Sequence, residues 1–310
     1  MAQGVCGPRR AVSPQAGAVV VNYNARDYLL DCLDSLLAEG AGPVVVADNS
    51  SSDGSEEAVR HKFPQVRWLA TGANLGYGGG ANLGAASIDS ELIVVCNPDL
   101  VAHPGALSEL CRYLDEVPSV GLVGPAIYNV DGSLYPSARR FPDLVDSVGH
   151  GFLGQFWPSN PFSRRYRMTN WDHAQSREVD WVSGAFFVVR RSAWQAVGGF
   201  DPAFYMYLED VDLCWRLRQA GWGVAYVPGA AVTHVQGVSA DRHPYRMLAA
   251  HHVSMWRFAW RTTEPHRRWS LGFVAPGLAL RFVLTAARRA ASGTKPPARV
   301  ERSTGPRPAK

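Results

Sequence analysis

The chain has 310 residues, 46% of them hydrophobic, and a formal net charge of +4. That length and apolar content suffice for a full core, as one large domain with appendages, and exclude a disordered or fibrous chain. The charge is uneven: residues 241–310 hold 14 Lys and Arg against three Asp and Glu, while residues 1–240 hold 17 against 24. A slightly acidic body with a strongly basic end predicts a surface for anions: phospholipid, a polyprenyl diphosphate or nucleic acid.

Residues 1–16 read as a flexible arm, without the apolar run of a signal peptide. Ala18–Val21 reads as a buried parallel strand that ends at the polar turn Asn22-Tyr23-Asn24. Leu29, Cys32, Leu33, Leu36 and Leu37 mark one face of a helix. Val44–Ala47 is a second strand, ending in Asp48 and a polar turn to Gly54. A short helix at 55–61 and a third strand at Val66–Ala70 follow. The run NLGYGGGANLG at 74–84 leaves two readings open. Its glycines could admit a ligand close to the backbone, or they could pack a helix start tightly on the sheet. It is not a P-loop, having no Gly-Lys-Ser/Thr, and no GxGxxG follows the first strand. Leu92–Cys96 is a fourth strand, ending in Asn97-Pro98-Asp99, with a helix at 105–116 and a strand near 120–127. Alternating strands and helices predict a doubly wound, mostly parallel α/β sheet, whose ligands bind beyond the carboxyl ends of the strands. Asp48 and Asp99 both stand at such ends.

Asp131-Gly132 signals a turn. Residues 137–178 lack sustained periodicity and are rich in arginine and aromatics, the pattern of a functional insert. Val179–Val189 reads as one strand. From Glu209 onward, Val211, Leu213, Cys214 and Leu217 recur at helical spacing, so Glu209, Asp210 and Asp212 fall in the first turn of a helix. A carboxylate held there beside apolar bulk suits a general base, although acids that merely cap the helix would give the same pattern. Gly223–Val227 is another strand, and His234 follows a Pro-Gly turn. Residues 245–261 read as a helix. Gly272–Ala287 is apolar but only 16 residues long, with Arg281 inside it, which is too short and too charged for a membrane span. It suits either an interfacial helix on an anionic leaflet or a helix packed on the core. The Pro-rich basic stretch 294–310 reads as disordered. Cys6, Cys32, Cys96, Cys111 and Cys214 are scattered without a CxxC pair, as befits reduced thiols in the cytoplasm rather than zinc ligands.

Six segments in order carry a resemblance: VVVNYN at 19–24, ADNSSSDGS at 47–55, NLGYGGGANLG at 74–84, NPD at 97–99, VSGA at 182–185 and FYMYLEDVDLCWRLRQAGW at 204–222. Each alone is weak; together they resemble the inverting GT-A glycosyltransferases of family 2. More narrowly they are similar to bacterial rhamnosyltransferases, and above all to actinobacterial ones acting on N-acetylglucosaminyl-diphosphoryl-polyprenol. A composition of 28 Arg against three Lys fits a GC-rich genome of that kind. The resemblance covers residues 18–240. It implies a GT-A (nucleotide-diphospho-sugar transferase) fold: a Rossmann-like catalytic domain at 17–240, with 137–178 on the acceptor side. A C-terminal helical, basic membrane-interface extension at 241–293 would follow.

The reaction implied is transfer of L-rhamnose from dTDP-β-L-rhamnose to that lipid-linked sugar, in a single displacement that gives an α linkage. On this resemblance Asp48 would grip the nucleoside, and Asn22, Asn74, Gly76, Asn82 and Asn97 would line the donor side. Asp99, the one acid left of the family's DXD motif, would hold Mg²⁺ or Mn²⁺ with His234. Asp210 would be the base. Glu209 would orient the acceptor or hold Arg216, Asp212 would cap the helix, and Trp181 and Gly184 would shape the acceptor pocket. The expected partners are a nucleotide sugar, a polyprenyl-diphosphate-linked acceptor and an anionic membrane surface, with no nucleic acid, at the inner face of the plasma membrane. The same fold with UDP-galactofuranose, a UDP-hexose or GDP-mannose stays open. A nicotinamide-dependent oxidoreductase or a non-catalytic nucleotide-binding scaffold would fit the sheet but not the motifs.

Overall fold

The computed structural model describes residues 16–142, 157, 160–235 and 244–291. The expected arm, except Ala16, the tail at 294–310 and part of the 137–178 insert lie outside those residues. The first half alternates as expected: β1 Gly17–Asn22, α1 Arg26–Ala38, β2 Val44–Asp48, α2 Ser55–Lys62, β3 Arg67–Ala70, α3 Gly76–Ala86 and β4 Leu92–Cys96. A short β5 Leu100–Ala102 precedes α4 Ala106–Glu116, β6 Val120–Tyr128, β7 Leu134–Tyr135 and β8 Ala138–Arg139. Then come α5 Pro161–Tyr166, β9 Arg177–Glu178, β10 Trp181–Val182, β11 Phe186–Arg190, α6 Arg191–Val197, α7 Glu209–Gln219 and β12 Gly223–His234. Two long helices, α8 Pro244–Thr262 and α9 Leu271–Ala291, close the described chain, joined by a 3₁₀ turn at Pro265–Ser270.

The main sheet runs β3-β2-β1-β4-β11-β6-β12-β5, with β7 and β9 added at β6 and β12. The pairs among β1 to β4 are parallel, as is β6 with β12, whereas β11 runs antiparallel between β4 and β6. The sheet is therefore mixed α/β and mostly parallel. Burial on both faces explains the unbroken valines of β1. Ala18 and Val20 pack under α1, α2 and α4, while Val19 and Val21 pack under α3, α6 and α7.

One open reading is decided and two local expectations change. The glycine run is helical from Gly76. It is helix α3, and a Cβ at Gly84 would lie 2.2 Å from Val19 Cγ1, so the missing side chains let the helix axis approach β1. Val179–Val189 is two strands, not one. β10 pairs with β8 in a small separate sheet, and only β11 joins the main one, because the chain breaks direction at Ser183-Gly184-Ala185. β12 runs through Pro228-Gly229 as a bulge, with its register on β6 slipping between Val227 and Ala231.

α8 is fastened to the segment before α7. Ser254 Oγ donates to Met206 O at 3.1 Å, Arg257 donates to Ala203 O, and Arg261 pairs with Asp212 at 2.5 Å and with Asp201. α9 folds back along α8. Among the described residues, no helix is long and apolar enough to cross a membrane.

Candidate active site

The acids at the start of α7 sit behind a strained turn. Tyr207 and Leu208 both take left-handed backbone angles, φ 65° and 61°, which cost bulky residues about 1–3 kcal/mol each. The turn is held from outside: the Tyr207 ring meets His251 edge-on at 5.3 Å. Asp210 follows, half-buried and enclosed by cavity walls. Its Oδ2 accepts from Gly184 N at 2.8 Å and its Oδ1 from Val211 N at 2.9 Å. Burial pushes the Asp210 carboxyl above the usual range, while those two N–H groups and the Arg139 guanidinium pull it back. Glu209 is 7% exposed, and its Oε2 is buried without a partner. Burial, then the neighbouring Asp210 charge, pushes its pKa up to about 8. The two adjacent carboxyls are thus unequal: one is hydrogen-bonded as an anion, the other is held neutral near pH 7.

Gly184 is the hinge of this arrangement. It donates to Asp210 and accepts from the Tyr77 hydroxyl at 2.5 Å. A Cβ there would lie 2.9 Å from Asp210 Cβ. The chain break that ends β10 therefore presents an amide to the acid.

Asp210, Glu209, Trp181 and Gly184 line a cavity of about 550 Å³, and Asn74, Gly76, Asn97, Asp99 and His234 line the same cavity. Asp99 ends the turn after β4, and His234 ends β12. Asp99 Oδ1 and His234 Nε2 are 3.1 Å apart, with Asn97 Nδ2 at 3.3 Å from the same ring nitrogen. A carboxylate and an imidazole side by side on a cavity wall fit a divalent cation in donor type. Among the described residues no group of three or more His, Cys, Asp or Glu gathers. A larger cavity of about 620 Å³, walled by Arg140, Arg177, Asp180, Arg218 and Trp222 among others, contains none of the expected residues.

Several expected residues stand elsewhere. Asp48 is absent from the cavity wall; it accepts from Asn22 Nδ2 at 2.8 Å, Ser51 Oγ at 2.5 Å and Ser51 N at 2.9 Å, and so ties the turn after β2. Asn22 is wholly buried under that turn. Asn82 clasps both backbone polar groups of Phe200, at 2.8 and 2.9 Å, and does not reach the cavity. Gly76 does line it, but with φ 77° and with Tyr205 O 2.2 Å from where a Cβ would sit, so its small size serves the chain itself. Asp212 is no cap. It is fully buried between Arg216, 2.7 Å away, and Arg261, so the acid that holds Arg216 is Asp212 and not Glu209.

The sequence matches the model of the glycosyltransferase-like family 2 over residues 14–259. The chain belongs to that family. It is 42% identical over 264 residues to N-acetylglucosaminyl-diphospho-decaprenol L-rhamnosyltransferase of Mycobacterium tuberculosis, an alignment covering 81% of this chain and 85% of that protein. It is 28% identical to rhamnosyltransferase WbbL of Escherichia coli K12, over 70% of this chain and 81% of that one. Among solved structures, the mannosyltransferase PcManGT of Pyrobaculum calidifontis, in complex with GDP-Man and Mn²⁺, superposes with a TM-score of 0.56 at 17% identity. That match spans 91% of this chain and 76% of the other, a likeness of fold. The mixed sheet of this glycosyltransferase is thus the GT-A arrangement.

Some cavity residues of the glycosyltransferase escaped the sequence reading. Arg139 points its guanidinium at the rings of Tyr135, Tyr166 and Trp181, with centroids 5.4, 5.7 and 5.1 Å away. Its signal was present in the arginine- and aromatic-rich insert, but no spacing singled it out. Asn49 donates to Gly76 O at 2.9 Å and fixes that part of the cavity rim. Arg246, Met247 and His251 reach the wall from α8, which charge alone had marked only as a membrane element.

Proposed function

We propose that this glycosyltransferase moves L-rhamnose from dTDP-β-L-rhamnose to N-acetylglucosaminyl-diphosphoryl-polyprenol with inversion. The observation that carries the reading is one cavity walled by both a hydrogen-bonded, charge-holding Asp210 and an Asp99–His234 pair, in a chain 42% identical to a protein named for that transfer.

Asp210 is the base. Its carboxylate is aimed by Gly184 N and Val211 N, and it takes the proton of the acceptor hydroxyl as that oxygen attacks the anomeric carbon. Inversion needs no enzyme nucleophile, and Glu209, neutral, offers a hydrogen bond that orients the acceptor. Trp181 gives the acceptor sugar a flat wall, since its Nε1 is already spent on Arg140 O at 2.8 Å. Asn74, Gly76 and Asn97 form the donor side. Asp99 and His234 would hold Mg²⁺ or Mn²⁺, which supplies Lewis-acid neutralisation of the leaving diphosphate. The catalytic domain is residues 17–240, with Arg139 and Tyr166 of the 137–178 insert on the acceptor side of the cavity.

The extension meets the membrane peripherally, at its cytoplasmic face. Supporting this, Trp269 in the 3₁₀ turn and Leu280, Val283 and Leu284 on α9 are exposed on the same segments that carry Arg267, Arg268, Arg281 and Arg288. The test of function is direct. The purified chain is given dTDP-rhamnose, UDP-galactofuranose, UDP-glucose or GDP-mannose with a prenyl-diphosphate-linked N-acetylglucosamine and Mg²⁺ or Mn²⁺. Mass spectrometry should find a deoxyhexose added from dTDP-rhamnose; a product from another donor alone would overturn the donor assignment.

A further inference from the structure

The sheet does not complete the cavity by itself: Arg246, Met247 and His251 of α8 form part of its wall. We propose that Arg246 of α8, assisted by Arg281 of α9, binds the diphosphate of the acceptor lipid. The inference rests on the acceptor reading above, in which the sugar stands at Asp210 and the diphosphate and chain must leave past the cavity mouth.

Arg246 is exposed, and its guanidinium lies 5.2 Å from the ring of Tyr205, itself a cavity residue. Stacking on that ring holds the planar fork ready for a bidentate anion. Arg281 is half-buried, with Nη1 3.5 Å from Met255 Sδ. It also stands within electrostatic reach of two cavity residues, helping burial to depress the His251 imidazole and acting on the Tyr166 hydroxyl. Three other arginines hold acids: Arg216 and Arg261 hold Asp212, and Arg218 holds Asp180. Among the described residues, no carboxylate pairs with Arg246 or Arg281. A half-buried guanidinium without a counter-charge is costly, and a phosphate would offset that cost.

The need for cations here follows from the cavity's own charge. Asp99 and Asp210 both line it, so a dianionic group entering beside them meets repulsion unless positive charge stands between. Arg139 is screened by three rings; Arg246 is the arginine at the open wall. The same two helices expose Val253, Trp260, Leu280, Val283 and Leu284, an apolar strip onto which the lipid chain can continue.

The test uses the full chain and two soluble acceptors: N-acetylglucosamine on a short prenyl diphosphate, and the same sugar on a neutral prenyl ether. The readout is the ratio of kcat/KM for the two. Arg246→Gln should lower that ratio about tenfold, as loss of one charge-assisted contact does. Arg281→Gln should lower it in the same direction, and Arg246→Lys should keep most of it because the charge remains. An unchanged ratio in both Gln variants overturns the inference. Vesicles of phosphatidylglycerol and phosphatidylcholine separate the two sources of phosphate. If Arg246→Gln loses vesicle binding while the ratio holds, the arginine serves bilayer headgroups and the inference is wrong. If the wild type turns over neither acceptor, the acceptor reading has failed and the inference falls with it.

Discussion

Glu209→Gln and Asp210→Asn should have opposite outcomes, although the two residues are adjacent. Glu209 is raised to about 8 from an ordinary 4.5. At about 1.4 kcal/mol per unit, its surroundings favour the protonated form by up to about 5 kcal/mol. Gln reproduces the shape and neutrality of that form, so turnover at pH 7 should stay within about fivefold. Asp210 instead receives two backbone N–H bonds, at 2.8 and 2.9 Å, that stabilise its anion. Asparagine cannot accept a proton, and turnover should fall by about 10²–10⁴ with donor binding retained. The pH profile adds a second reading. In the wild type, kcat/KM should rise as Asp210 ionises and fall above about pH 8, when Glu209 also loses its proton beside the base. In Glu209→Gln the alkaline fall should vanish. Folding stability should follow: between pH 4.5 and about 8 the folded state binds more protons at Glu209 than the unfolded chain. Wild-type stability therefore declines as pH rises through that window, and the Gln variant should lack this decline. The reasoning is refuted if Glu209→Gln loses as much activity as Asp210→Asn, or if the alkaline limb survives in it.

Three further outcomes follow from contacts in the structure. Asp99→Ala should weaken nucleotide-sugar affinity only when Mg²⁺ or Mn²⁺ is present; calorimetry showing the same affinity with and without metal would remove Asp99 from that role. Gly184→Ala should cut turnover about 10- to 100-fold at little cost in donor affinity, because the new methyl would press on Asp210, 2.9 Å away, and move the base. Arg261→Ala leaves the fully buried Asp212 with Arg216 alone and frees α8 from Asp201. It should cost about 3 kcal/mol in urea unfolding, and a loss under 1 kcal/mol would mean the pair contributes little.

Strands β1, β2 and β4 were legible because each is buried on both faces and reads as a valine-rich run ending at a polar turn. The first turn of α7 was legible too, since the apolar spacing after Glu209 is helical. What the sequence hid was direction. Val179–Val189 is mostly apolar with only Asp180 and Ser183 polar, and nothing local says that the break at Gly184 turns an amide toward Asp210. The glycine run at 74–84 satisfied two readings, and only the proximity of Gly84 to Val19 decides for a packed helix. Asp48 and Asn82 carry the right chemistry at strand and helix positions near the cavity, yet their side chains are spent on Ser51, Asn22 and Phe200. The role of α8 as cavity wall depends on contacts between residues about fifty positions apart, such as Ser254 with Met206, which no periodicity encodes.

The claim at the centre is a one-step displacement driven by Asp210. The most direct measurement is the anomeric configuration of the product, read by NMR from wild-type enzyme, dTDP-β-L-rhamnose and the prenyl-diphosphate acceptor, with Asp210→Asn run alongside. An α-linked rhamnoside from the wild type and almost none from the variant is the predicted result. A β-linked product, or α product formed as fast without the carboxylate, would contradict it.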